Sequence, residues 1–216
     1  MGMISSEPFL ETKEKGEGMK GYFDFEGFRK IARLFRDCII TEKIDGTNAT
    51  VRVEFASMVT DDAPAHILSD DGEFALFSGS RTRWISSTDD NFGFANWVIS
   101  NKEELVRLGP GTHRGEWWGS GIQRKYGIGE RKFSLFNTSK WSDEAARPVC
   151  CSVVPIVYAG PFSTEAVSAA LERLRTGGSL AAPGFMDPEG VVTYHVASGV
   201  MFKSTIVGDE KHKGEA

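Results

Sequence analysis

The run Thr50-Val51-Arg52-Val53-Glu54-Phe55 alternates apolar and polar side chains with a period of two. Only a strand with one face on a core and the other on solvent satisfies that pattern, because successive strand side chains point to opposite faces. Short β-rich runs recur over residues 38–43, 73–78 and on towards Trp84, 113–117, 132–136, 149–158, 190–195 and 199–206, the last two reading as a closing hairpin. Pro155 requires a bulge or an edge position within its run. Helical spacing is confined to three stretches. Phe28, Ile31, Ala32 and Phe35 share a face over 25–35, Ser100 precedes Glu103 as an N-cap for 100–108, and Ala166, Val167, Ala170, Leu171 and Leu174 align over 163–175. Strands outnumber helices without alternating regularly with them, so the expected fold class is a mixed α+β domain built on antiparallel sheets.

A length of 216 residues suits one domain, and 40% hydrophobic residues supply its core. The expected organisation is a charged, Gly-rich flexible lead-in over 1–20, the domain over 21–207 and a charged tail over 208–216. The net charge of -5 argues against a generally polybasic nucleic-acid binder while allowing a local basic cleft. The first residues lack a signal-peptide pattern and no apolar run is long enough to span a membrane, so an intracellular protein without a membrane partner is expected. Cys38, Cys150 and Cys151 lack metal or redox spacing, and the four histidines are scattered, so neither a disulfide nor a transition metal is expected to hold the fold.

The most informative cluster is Glu42-Lys43-Ile44-Asp45-Gly46-Thr47-Asn48. Lys43 ends a strand where turn chemistry begins. A lysine held there is a nucleophile once its amine gives up a proton, and Asp45 suits positioning better than activation because a carboxylate favours the ammonium. The bare string describes a surface turn with a solvated lysine equally well. Arg81, Arg83, Arg114, Arg124, Lys125 and Lys203 are candidate anion binders, since an arginine fork matches phosphate. Glu116 and Glu189 each adjoin a glycine at a strand end, where a carboxylate suits a ribose hydroxyl or a divalent cation, or pairs with those arginines.

Taken in order, these residues resemble the ATP-dependent covalent nucleotidyltransferase superfamily of RNA ligases, DNA ligases and capping enzymes. Lys43-Ile44-Asp45-Gly46 looks like its first motif, and Gly79-Ser80-Arg81-Thr82-Arg83-Trp84 resembles the arginine segment of RNA ligases. His113-Arg114-Gly115-Glu116 resembles the third motif, with Phe133-Ser134-Leu135-Phe136-Asn137 as the adjoining strand. Glu189-Gly190-Val191-Val192 and Met201-Phe202-Lys203 resemble the fourth motif and part of the fifth. Spacings of 73, 73 and 14 residues separate Lys43, Glu116, Glu189 and Lys203, and the resemblance spans 162 residues. Thr47-Asn48, the Ser80–Arg83 segment and Asp90-Asn91-Phe92-Gly93-Phe94 look most like the RNA ligases of RNA repair and editing.

The resemblance implies an antiparallel-sheet, ATP-grasp-like ligase catalytic domain without a C-terminal oligonucleotide-binding barrel, for which the 13 residues after Lys203 are too few. It implies that Lys43 attacks the α-phosphate of ATP to form lysyl-AMP, that AMP passes to a 5'-phosphate, and that a 3'-hydroxyl then seals the end. Lys43, Asp45 and Lys203 carry the catalytic roles. Nucleotide binding falls to Glu42, Lys43, Asn48, Arg81, Glu116, Glu189 and Lys203, with Phe133 stacking on the purine and Phe136 as its substitute. Glu189 organises Mg2+, with Mn2+ as a replacement. The implied partner is RNA with 5'-phosphate and 3'-hydroxyl ends, with a partner protein as the source of further substrate-binding surface. One departure concerns the fifth motif, where K-x-K is usual and only Lys203 is present, Lys211 or Lys213 being candidates to substitute. It keeps open a silent or partner-dependent nucleic-acid-binding module, beside transfer to a capping or non-polynucleotide substrate.

Overall fold

The computed structural model describes residues 30–208. The expected lead-in and all but the first residue of the expected tail, including Lys211 and Lys213, lie outside them, and the following concerns the unit that begins at Ala32. In chain order its elements are β1 (Asp37–Lys43), β2 (Thr47–Phe55), β3 (His66–Leu68), β4 (Phe74–Gly79), β5 (Trp84–Ile85), α1 (Phe94–Ser100), α2 (Lys102–Val106), β6 (Gly111–Gly119), β7 (Arg131–Leu135), α3 (Thr138–Trp141), β8 (Cys151–Val153), β9 (Ile156–Pro161), α4 (Thr164–Gly177), β10 (Gly190–His195) and β11 (Val200–Thr205).

The strands form two sheets. One has the order β11-β10-β1-β9; in the seven-stranded other, β3-β4-β2-β6-β7-β8 run in sequence and β5 pairs with β4. All pairs are antiparallel except β7 with β8. The expected α+β, mainly antiparallel fold is therefore observed, and neither sheet closes into a barrel.

Period-two patterning decides what each sheet buries. Cys38 and Ile40 of β1 pack with Val157, Val191 and the α4 residues Ala170 and Leu174. Val51 and Val53 of β2 join Leu76, Trp117, Phe133 and Leu135 against Phe94 and Val98 of α1 and Leu105 beyond it. A third cluster, Ile44, Trp118, Tyr126, Val154 and Ala182, lies where the chain passes between sheets. Helices thus cover one face of each sheet, and the opposite faces border a common cleft.

Several local expectations change. Residues 32–35 are not helical, and Leu34 and Phe35 are exposed, so the part of the expected 25–35 helix that lies in this unit is not formed; the rest lies outside it. Ser100 is not an N-cap: it ends α1, and its hydroxyl donates back to the Asn96 carbonyl. The helix start lies further back, where the Asp90 carboxylate accepts the Ala95 and Asn96 amides. The 149–158 run divides at Pro155 into β8 and β9, which belong to different sheets. Proline has no N–H to continue a ladder, and its carbonyl accepts the Glu42 amide at 2.9 Å. The turn after Lys43 is likewise a crossing from one sheet to the other, and β2 begins already at Thr47. Gly46 is needed there for space: a Cβ would lie 2.5 Å from the Trp117 carbonyl oxygen and 2.7 Å from Trp118 Cβ.

Candidate active site

Alternation along β1 sends Ile39, Thr41 and Lys43 to the cleft while Cys38, Ile40 and Glu42 are buried. Lys43 pairs in register with Gly190, which brings Glu189 beside it, and Lys43 Nζ donates to Glu189 Oε2 at 2.6 Å. Lys203 of β11 stands opposite Val192 of β10 and faces the same cleft. A side chain at Gly190 would collide with the Ser204 carbonyl oxygen of β11, so glycine permits the approach that brings the fourth and fifth motif segments together.

The opposing wall carries Glu116. It stands opposite Asn48 across β2 and β6, accepting the Gly46 amide at 3.1 Å and Asn48 Nδ2 at 3.0 Å. Burial pushes its carboxyl up from 4.5 to about 7, outweighing Lys43, Asn48 and the Gly46 amide, which favour the charged form; Glu189 adds to the rise. Lys43, Glu116, Asn48, Arg81 and Lys203 all line this cleft of about 1360 Å³.

Asp45 is held differently. Its amide donates to the Tyr126 hydroxyl at 2.7 Å, and its carboxylate accepts from Arg124 Nε at 3.1 Å. Arg124 also meets Asp187, at 2.6 Å, so it clamps Asp45 to the segment preceding Glu189 and is no longer an available anion binder. Glu42 is buried and its carboxylate is fully engaged, accepting Ser179 Oγ at 2.6 Å and the Leu180 and Ala181 amides at 2.7 and 2.9 Å. Its side chain anchors a loop, and any contact it makes with a nucleotide falls to its backbone.

The aromatic assignment is corrected. Phe133 is fully buried, packed on Phe94 and Trp97 in the core behind the larger sheet, and offers no face to the cleft. Phe136, an odd number of residues away and 41% exposed, lines the cleft. Trp117 and Trp118 are both buried, their N–H groups donating to the Phe92 carbonyl and Ser134 Oγ.

Six basic residues, Lys43, Arg52, Arg81, Arg83, Arg114 and Lys203, line the cleft beside the Glu116 carboxylate; Lys43 and Arg52 are paired with Glu189 and Glu54, and the Glu42 carboxylate is turned onto Ser179, Leu180 and Ala181. The acidic chain thus carries a basic cavity, which suits a polyanion. Arg83 is engaged in a bidentate pair with Asp89, and Lys125 lies outside the lining. Sequence reasoning missed Arg52 and Tyr126. Arg52 was legible as the second β2 residue after Thr50 on the face of Asn48; no sequence signal marks Tyr126 as the acceptor for Asp45. Among the described residues no three His, Cys, Asp or Glu side chains converge as a metal cage, and no helix is long and apolar enough to cross a membrane.

A family model described as RNA ligase matches residues 36–205. The chain belongs to the RNA ligase family. That match includes every candidate residue from Glu42 to Lys203. Solved RNA ligase structures share the fold: an apo Naegleria gruberi RNA ligase variant aligns at 20% identity and a TM-score of 0.53, over 79% of this chain and 49% of that one. Two further variants of the Naegleria gruberi enzyme, one with AMP and Mn and one with ATP and Mn, each align at 19% identity and a TM-score of 0.53, over 80% of this chain and 50% of theirs. The chain therefore spans about half the length of these RNA ligases. No curated protein matches it.

Proposed function

We propose that this RNA ligase family domain is an ATP-dependent nucleotidyltransferase that charges Lys43 with AMP, transfers the AMP to a 5'-phosphate end of RNA and seals that end to a 3'-hydroxyl. The observation that carries the reading is that Lys43 and Lys203 of one sheet and Glu116 of the other line one basic cleft, with Glu189 bonded to Lys43. Naegleria gruberi relatives of the same fold were solved with AMP or ATP and Mn, which supports a nucleotide and a divalent ion as the ligands.

In this reading the Lys43 amine attacks the α-phosphorus, forming a P–N bond as the bond to pyrophosphate breaks. Lys203 and Arg81 offset the charge that develops on the phosphoryl oxygens. Glu116 and Asn48 bind the ribose side of the nucleotide, and Phe136 offers a face to the purine. Asp45, clamped by Arg124 and Tyr126, fixes the turn after Lys43. Mg2+, or Mn2+ in its place, fits a site with few protein donors, since such ions bind through one or two carboxylates together with substrate phosphates. Glu189 would hold it, and the ion would neutralise phosphate charge.

The test is to load the protein from α-labelled ATP or GTP, then add RNA strands bearing a 5'-phosphate and a 3'-hydroxyl. Label from ATP that moves to the 5'-phosphate, followed by a longer sealed product, supports the reading. Preference for GTP and a 5'-diphosphate end would make this a capping reaction instead. Loading and transfer to RNA without sealing would favour the partner-dependent alternative.

A further inference from the structure

We propose that Thr50, Arg52, Thr112 and Arg114 form a phosphate track on the cleft wall that binds the backbone of the RNA strand whose 5'-phosphate receives AMP. The proposal rests on the ligase reading and extends it to residues outside the nucleotide site. Register places the Asn48–Glu116 rung first, Thr50–Arg114 next and Arg52–Thr112 beyond it, all with cleft-facing side chains. Rungs two residues apart are separated by about 7 Å. Arg52 thus lies about 14 Å along β2 from Asn48, leading away from Lys43.

The chemistry of the track is that of a polyanion site. The Arg114 guanidinium has no hydrogen-bond or ion-pair partner among the described residues. Arg52 meets Glu54 through Nε and Nη2, at 2.9 and 2.7 Å, which leaves Nη1 for a ligand. Each arginine faces a threonine hydroxyl across the ladder, so every rung pairs a cation with a neutral donor. Phe136 donates its amide to the Arg114 carbonyl at 2.9 Å, which puts the exposed aromatic at the track's start, where nucleotide and strand would meet. Arginines spaced along a groove beside an aromatic face are the components of single-strand binding.

The experiment compares wild type with Arg114→Ala and the double variant Arg52→Ala/Arg114→Ala. Each protein is loaded with labelled AMP, freed of ATP, and the loaded fraction is chased with a short 5'-phosphorylated oligoribonucleotide across a salt series. At subsaturating RNA the chase is expected to slow about tenfold for Arg114→Ala and further for the double variant, as for loss of charge-assisted phosphate bonds. The log–log salt slope should fall by about 0.7 per contact removed. Arg114→Lys should give an intermediate rate, and thermal unfolding checks that the exposed substitutions leave the fold intact. A chase with wild-type rate and salt slope would overturn the track while leaving the ligase reading in place. Variants that cannot load would assign these arginines to ATP and overturn it equally. Failure of the wild type to load would remove the ligase reading itself.

Discussion

Replacing Glu116 by glutamine tests the electrostatics of the cleft without emptying it. The Glu116 carboxyl is raised from 4.5 to about 7 because burial outweighs the attraction of Lys43 and the bonds from Asn48 and Gly46. Below pH 4.5 both folded and unfolded forms are protonated and the group costs nothing. Between 4.5 and 7 the unfolded chain ionises first, so stability falls with rising pH; above 7 the loss is complete. At about 1.4 kcal/mol per pH unit, that loss is about 3 kcal/mol. The Glu116→Gln variant has no such charge to ionise, and its carbonyl can still accept the Gly46 amide while Asn48 turns its own amide to complete the pair. Urea unfolding of both proteins from pH 4.5 to 8.5 should therefore show the variant gaining about 3 kcal/mol on wild type across the range, since every other titration cancels in the difference. A difference that stays flat, or shrinks as pH rises, would refute the claim that desolvation dominates at this carboxyl.

Four further substitutions address packing and local bonding. Phe133→Ala should cost about 3–5 kcal/mol of unfolding free energy, whereas Phe136→Ala should cost under about 1 kcal/mol and instead raise the ATP concentration needed for half-maximal labelling. Denaturant melts and a nucleotide titration separate the two. Glu42→Gln should lower stability by about 1–2 kcal/mol in urea melts, because the bonds from Ser179, Leu180 and Ala181 lose the charge on their acceptor and the Ser179 hydroxyl must turn to accept the new amide. Gly46→Ala should destabilise by about 1–3 kcal/mol through its collision with the backbone of Trp117 and Cβ of Trp118, measured by calorimetry, and should slow Lys43 labelling as the crossing shifts.

Local patterning made much of this molecule readable. Lys43 does end β1, the stripe over 163–175 does form α4, and 190–206 does form a hairpin, because each depends on neighbours in sequence. What the pattern left out depends on contacts distant along the chain. Turn residues after Lys43 describe a reversal but not whether the next strand rejoins the same sheet; Trp117 and Trp118, some 70 residues away, decide that it does not. Helix α1 has no Ser or Thr directly before it: its N-cap is Gly93, and the amides of its first turn are accepted by Asp90, four residues ahead of Phe94. Alternation stated that Phe133 and Phe136 face opposite ways but not which faced the core, which followed only from where α1 packs. Arg124 had the right chemistry for phosphate, yet two aspartates, one on either side of it in sequence, claim its guanidinium.

The central claim is that Lys43 carries the nucleotide. Wild type and Lys43→Ala, each shown to be folded and freed of bound AMP, would be incubated with ATP and Mg2+, then examined by intact mass and peptide mapping. The account predicts a single adenylyl group on wild type, on the peptide containing Lys43, stable to base and lost in acid, with no adduct on the variant. An adduct on another residue, or none on either protein, would contradict it.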